Sequence, residues 1–342
     1  MKYQIEMLNV EAADAFIIYC INETNKEYLI LVDSGNYKDG DKILSHIKKY
    51  YPTKSIDLAI VTHPDKDHYG GFINMLEQIS NKEGNKINIE KFWVHDPANH
   101  IDKGEVKWIT KQSTVNVNAR TVYDLKDHDN LISLIDKLRI PREEKFSSEG
   151  YDQEFSFINI IGPTEKFYTQ LVPDFRNDEL NFFKKEGDEN YKEDEDEDNV
   201  ESLSKTLDEA KDDTSAHNQS SLIFLFTSSG NKKYLFMGDA GKLAYKNIID
   251  SKKELIKDVS WLKVPHHGSK HNLDSNMIKY INPETAYIST AGIGNFLNQC
   301  TVNSLKKSRN NNCEVYSTHK SKSNFLHNGI EPRTGYSKSE PL

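Results

Sequence analysis

The sequence predicts an α+β chain in which strand-rich halves alternate with helices. Three observations carry that reading. Short runs rich in Ile, Leu, Val, Phe and Tyr recur along the 342 residues, each closed by Gly, Asn, Asp or Pro. Helical apolar spacing appears between them, as at Ile43, Leu44 and Ile47. Side chains able to hold a metal fall repeatedly just past strand ends, as expected of a site built on loops over a rigid sheet.

Residues 3–10, 15–21 and 28–32 read as strands, with Asn22-Glu23-Thr24-Asn25 as the turn between the second and third. The third ends in Asp33-Ser34-Gly35. Asp33 is either a turn or cap residue or a carboxylate that orients a metal ligand from behind. Residues 39–50 form an amphipathic helix. The apolar run Ile56 to Val61, with Asp57 inside it, leads into Thr62-His63-Pro64-Asp65-Lys66-Asp67-His68-Tyr69-Gly70-Gly71, and a helical stretch Phe72 to Ile79 follows. Ile89 to His95 reads as a strand, with His95 at its end as a ligand or as a surface or structural residue. Residues 103–140 look mostly helical, with Leu131, Ile132, Leu134, Ile135 and Leu138 at helical spacing. The strand 155–161 stops at Gly162-Pro163.

Residues 186–201 hold ten Asp or Glu and a single Lys, the composition of an exposed insertion. The rival readings are a calcium loop and a mimic of nucleic-acid charge, but the ordered oxygen spacing and central Gly of a calcium loop are missing. Beyond it, His217-Asn218-Gln219-Ser220-Ser221 leads into the strand Leu222 to Phe226, and Ser229-Gly230-Asn231 turns the chain. The strand Lys233 to Met237 ends in Gly238-Asp239-Ala240, and the strand Trp261 to Val264 in Pro265-His266-His267-Gly268-Ser269. A strand Thr285 to Ser289, a loop to Asn295, a helix over 301–309 and a last strand from Val315 complete the chain.

Composition excludes several classes. The net charge of -9 argues against a generally basic nucleic-acid binder, though a local basic groove stays open. The three cysteines, Cys20, Cys300 and Cys313, form no close pair, so neither a disulfide framework nor a cysteine zinc knuckle is indicated. No signal-peptide core and no run of the roughly 20 apolar residues a membrane span needs is present. A soluble, cytoplasmic protein is expected. There is no nucleophile elbow, phosphate-binding loop or dinucleotide fingerprint.

The chemistry concentrates in one set of residues. His63, Asp65, Asp67 and His68 lie within six residues, and such a group repels itself and resists desolvation unless a cation holds it. Asp239 and one of the pair His266-His267 also follow strands, giving enough nitrogen and oxygen donors for two divalent cations; donors without thiolate suit zinc, manganese or iron, with zinc or manganese expected. Asp239 is the natural bridge, one oxygen to each. Two such cations lower the pKa of a shared water, whose hydroxide attacks a phosphate while a donor such as His266 or His267 steadies the charge. Lys263, Lys270 and Lys320 offer local phosphate contacts or are solvated surface lysines.

On these residues the chain resembles the metallo-beta-lactamase fold superfamily, and within it the hydrolase domain of competence-type DNA-uptake channel proteins. The resemblance runs through Leu8-Asn9-Val10-Glu11-Ala12-Ala13-Asp14-Ala15, Asp33-Ser34-Gly35, His63-Pro64-Asp65-Lys66-Asp67-His68, Asn218-Gln219-Ser220-Ser221, Gly238-Asp239, Pro265-His266-His267-Gly268-Ser269 and Ser289 to Asn295. It implies a four-layer αββα fold with two central mixed sheets flanked by helices. It further implies a single domain over 1–330, a helical insertion at about 100–150, an acidic, flexible insertion at 186–213 and a loose tail, 331–342. His63, Asp65, Asp67, His68, Asp239 and His266 are the implied metal ligands, with His217 as an added nitrogen donor where relatives carry a further His. Asp67, Asn218 and His267 are the implied catalytic groups. Asp65 stands where many relatives carry His. The implied activity is hydrolysis of phosphodiester bonds in a nucleic acid or nucleotide. The alternatives are another ester, thioester or lactam, or a regulatory protein with a degenerate site that docks a partner through the insertion.

Overall fold

The computed structural model describes residues 1–342 except 52–54, 82–86, 101–122, 149–153, 176–206, 294–295, 322–324 and 328–340. The acidic run 186–201 therefore lies outside the described residues, as do much of the insertion expected at 100–150 and most of the tail.

Strand alternation builds the layers. In Phe16–Ile21, Phe16, Ile18 and Cys20 point to one buried cluster, while Ile17 and Tyr19 point to another. In Ile223–Thr227, Phe224 and Phe226 join that first cluster, while Ile223 and Leu225 enter a third. Strands buried on both faces need continuous apolar runs, and the sequence supplies them. The shared cluster lies between two sheets, with Trp261, Phe236 and Tyr234 of one packed against Phe16, Tyr3 and Trp93 of the other. Each outer cluster is closed by helices. Asp39–Tyr50, Lys66–Ser80 and Tyr123–Lys137 cover the N-terminal sheet, and Glu165–Leu171, Ser275–Ile281 and Gln299–Asn311 cover the C-terminal one. The result is the four-layer α+β arrangement, two mixed sheets flanked by helices.

The seven-stranded N-terminal sheet runs in the order Phe325–His327, Lys2–Met7, Phe16–Ile21, Glu27–Val32, Leu58–Ile60, Phe92–Trp93, Arg142–Glu143. Its first pairings are antiparallel, and from Glu27–Val32 onward they are parallel. The six-stranded C-terminal sheet repeats the plan. Ile158–Gly162, Ile223–Thr227 and Lys233–Phe236 pair antiparallel, then Trp261–Lys263, Thr285–Ile288 and Glu314–Ser317 continue in parallel. Parallel neighbours need crossovers, and the helices provide them.

Two expected strands are broken. Asp57 interrupts the run from Ile56, because its carboxylate accepts the Leu29 N–H at 2.7 Å and splits Ser55–Ile56 from Leu58–Ile60. The stretch Ile89 to His95 is likewise two short strands. Asn88–Ile89 pairs with Ser55–Ile56, and Phe92–Trp93 joins the main sheet beside Leu58–Ile60. Of the insertion, the described part holds the helix Tyr123–Lys137, with Leu131, Ile132 and Ile135 in the core, and the edge strand Arg142–Glu143. Among the described residues no helix is long and apolar enough to cross a membrane.

Candidate metal centre

Asp33, Thr62-His63, Asp239, His266-His267 and Ser289 all follow the carboxyl ends of strands, where open α/β sheets place their sites. Gly238 makes one of these exits. Its φ is +52°, and a Cβ there would lie 2.9 Å from Ser221 Oγ and 3.0 Å from Thr62 Cβ. The chain can thus turn Asp239 into the site, where Ser221 Oγ accepts its N–H at 3.0 Å.

Hydrogen bonds fix which face of each imidazole looks inward. Asp33 Oδ1 accepts the Thr62 N–H at 2.8 Å, and Asp33 Oδ2 accepts Thr62 Oγ1 and His68 Nδ1, both at 2.8 Å. His63 Nδ1 lies 3.2 Å from Thr62 Oγ1, and His267 Nδ1 donates to the Ser289 carbonyl at 2.9 Å. All three rings therefore turn Nε2 inward. The Nε2 atoms of His63 and His68 are buried and make no hydrogen bond. They face carboxylate oxygens instead: Asp65 Oδ2 at 3.3 Å from His63, and Asp239 Oδ2 at 3.4 Å and Asp67 Oδ2 at 3.6 Å from His68. His267 Nε2 is 3.2 Å from Asp67 Oδ2 and 4.0 Å from Asp239 Oδ2. Donor atoms of His63, His68 and Asp239 lie within 4.8 Å of one another, and so do those of Asp67, His68 and His267. Lone pairs so aimed, with Nδ1 tied behind them, are the donor set a divalent cation takes. The site opens on the carboxylate side, where Asp65 is 35% and Asp67 30% exposed and the three histidines are nearly sealed.

The charges support one another. Burial opposes ionisation of Asp65, but His217 and His63 hold its carboxyl well below the usual range. Burial opposes Asp67 and Asp239 as well, and His68 with His267 lowers the first while Lys263 with His68 lowers the second far more. His68 is raised well above the ordinary value, against its burial, by Asp239, Asp67 and Asp33. His267 is raised against burial by Asp67, Asp239 and Asp14. Without a cation the carboxylates draw protons onto these rings, in the place a cation would take.

The two adjacent histidines part company. His266 and His267 both take left-handed backbone, φ 46° and 51°, ahead of Gly268. His266, expected as a ligand, points Nδ1 at Asn272 Oδ1, 3.1 Å, and Asp213 Oδ2, 3.3 Å, and its pKa, depressed by burial but raised further by Asp213 and Asp239, is pushed up to about 9. His267 takes the place beside Asp67 and His68. Asp239 is tied too, since its Oδ1 accepts the His266 N–H at 3.1 Å and Lys263 at 3.1 Å, leaving Oδ2 for the cluster. His217 lies with Nδ1 2.7 Å from Asp65 Oδ1. Asn218 donates to Asp213 Oδ2 at 2.8 Å, beside His266 and outside the donor groups.

Two participants, Asp213 and Asp14, had no assigned part in the sequence reading, and a third, Lys263, had a different one. Asp213 ends the acidic stretch and accepts Asn218, Asn272 and Ser215, so it anchors the short helix Ala216–Gln219 that carries His217. Asp14 is wholly buried beside Lys263, and its place in the Ala13-Asp14-Ala15 motif was the available signal. Lys263 is treated below. His95 lies apart: its Nε2–H donates to the Lys145 carbonyl at 2.9 Å, its ring stacks on Phe146, and burial pushes it down to about 4.

A model of the metallo-beta-lactamase superfamily matches residues 10–165, the segment that carries Asp33, His63, Asp65, Asp67 and His68. Over that segment the chain is similar to the metallo-beta-lactamase superfamily. Two solved structures are similar. The metallo-beta-lactamase fold protein YhfI from Bacillus subtilis is 10% identical over 95% of this chain and 99% of its own, with a TM-score of 0.45. A Thermotoga maritima protein whose metallo-beta-lactamase assignment is provisional is 12% identical over 66% of this chain and 68% of its own, with a TM-score of 0.32. No curated protein sequence matches the chain. The family match over residues 10–165 and the donor clusters together support a metal-dependent hydrolase.

Proposed function

We propose that the protein hydrolyses phosphodiester bonds in a nucleic acid or nucleotide with the help of two divalent cations, manganese or zinc. The observation that carries the metal-dependent part is the pair of buried Nε2 atoms on His63 and His68, aimed at carboxylates and bonded to nothing else. Asp67, His68, His267 and Asp239 Oδ2 would hold one cation. His63, Asp65, His217 and Asp239 would hold the other. Bound there, the cations would supply an activated water and would steady negative charge on the ester.

The chain's own side chains prepare the rest. Asp33, Thr62 and the Ser289 carbonyl hold Nδ1 of the three inner histidines, so that Nε2 of each faces the carboxylates. Asp213, Asn218 and Asn272 hold His266 beside the cluster, where its cationic ring favours an anionic substrate. The donor set mixes imidazole nitrogen with carboxylate oxygen and has no thiolate, which suits zinc or manganese. The nucleic-acid substrate class rests on the resemblance to competence-type hydrolase domains, and the cytoplasmic location on composition.

Hydrolysis of bis-p-nitrophenyl phosphate with added Mn²⁺ or Zn²⁺ tests the reading. Turnover should fall by at least about a hundredfold in Asp67→Ala and His68→Ala. Two bound cations without phosphodiester turnover would overturn the substrate class, and turnover of a thioester or lactam would replace it. A wild-type protein that binds no cation would leave only the regulatory reading.

A further inference from the structure

Lys263 closes the strand Trp261–Lys263, two residues before Pro265-His266-His267. As a surface lysine it would be free to touch a substrate phosphate. It is instead 1% exposed, and its Nζ reaches Asp14, Asp239 Oδ1 at 3.1 Å and the Gly238 carbonyl at 2.7 Å. An ammonium has three N–H donors, and three acceptors use them all. Lys263 therefore has no donor left for a substrate.

Its partners sit at the centre of the site. Asp239 Oδ1 is held by Lys263 and by the His266 N–H, so Asp239 meets the histidines through Oδ2 alone. Asp14 lies behind both inner rings, 3.9 Å from His68 Nδ1 and 3.7 Å from His267 Nδ1. With His63, His68 and His267 neutral and His266 paired to Asp213, Asp14, Asp33, Asp65, Asp67 and Asp239 against this one ammonium leave four negative charges, the charge of two divalent cations. With Asp14, Asp33 and Asp239 buried, an imbalance of that size calls for counter-charge.

We propose that Lys263 is the positioning residue of the cation site, tying Asp14 and one oxygen of Asp239 so that Asp239 presents a single oxygen to the cations. The inference rests on the metal-site reading above. Rival roles predict other outcomes. If Lys263 acted only as a nearby positive charge, its removal would tighten cation binding. If it served only to neutralise Asp14, removing both charges together would restore the wild-type site.

Lys263→Met, Lys263→Arg and the double variant Lys263→Met with Asp14→Asn test this by calorimetric titration with Co²⁺, the visible spectrum of the Co²⁺ form and thermal melting. Lys263→Met should bind Co²⁺ roughly tenfold to a hundredfold more weakly, with an altered spectrum. The double variant, which leaves no unpaired buried carboxylate, should melt closer to wild type yet keep the weak binding and altered spectrum. Lys263→Arg, which retains charge and donors, should recover part of the affinity. A double variant with wild-type affinity, stoichiometry and spectrum would overturn the proposal, and so would tighter binding in Lys263→Met. If wild type binds two Co²⁺ and the double variant matches it, only this inference fails. If wild type binds none, the metal-site reading fails with it.

Discussion

The direction of one histidine pair decides the chemistry available at residue scale. His266 and His267 are neighbours in sequence, yet consecutive left-handed residues send the first toward Asp213 and the second toward Asp67. Each such residue costs on the order of 1–3 kcal/mol, so the surroundings must hold both in place. Asn272 does part of this, bridging His266, Asp213 and the Asp239 carbonyl. His267→Ala should therefore lower metal stoichiometry from two to one by elemental analysis, while His266→Ala should keep two. Equal losses in the two variants would show that the rings are not divided in this way. Spacing alone could not have separated them, because the division depends on two φ angles and on Asp213, which is hidden at the end of an acidic run. The ligand loop His63 to His68 was readable because four donors crowd six positions. Lys263 was not, since nothing in a lysine's own sequence says that two carboxylates will enclose it.

At the scale of elements, the helix Lys66–Ser80 brings Asp67 and His68 into register with the opposite sheet. Its Gly70-Gly71 pair lets it approach the loop after Glu27–Val32 closely: a Cβ on Gly71 would stand 2.1 Å from the Ser34 carbonyl oxygen. The approach is bonded as well as close, since Ser34 N–H donates to the His68 carbonyl at 2.6 Å and Ser34 Oγ accepts the Phe72 N–H at 2.8 Å. Gly71→Ala must push helix and loop apart, which costs roughly 1–3 kcal/mol and moves His68 from Asp33. We expect a lower urea midpoint together with weaker cation binding. A variant that loses stability but binds cations as wild type does would show that the helix seat and the site are independent. The helix Asp39–Tyr50 was legible because Ile43, Leu44 and Ile47 repeat at helical spacing and are buried as a face. Ile89 to His95 misled because an apolar run does not record that the chain leaves one ladder for another.

Across the whole molecule, the site joins two halves. His63, Asp65, Asp67 and His68 come from the end of the N-terminal sheet, and His217, Asp239 and His267 from the C-terminal one. Cations that bind only the folded form add about 2.7 kcal/mol for each site held at a hundred times its Kd, so chelation should lower the melting temperature. The pH dependence of that loss follows from the raised histidines. Unfolded, each titrates near 6.5, whereas His266 titrates at about 9 in the fold and His68 well above its ordinary value. A raised folded pKa contributes stability that is complete below pH 6.5 and is lost as pH climbs through the folded value. The cation-free protein should therefore weaken between pH 6.5 and about 9, as protons leave rings that stand among carboxylates. The loaded protein has cations there in place of the protons on His68 and His267, and cation binding itself strengthens as those protons leave. The gap between chelated and loaded melting temperatures should widen from pH 6.5 to 9. A constant or narrowing gap would mean that protons and cations do not compete for these nitrogens, and the binuclear site would have to be redrawn around other donors.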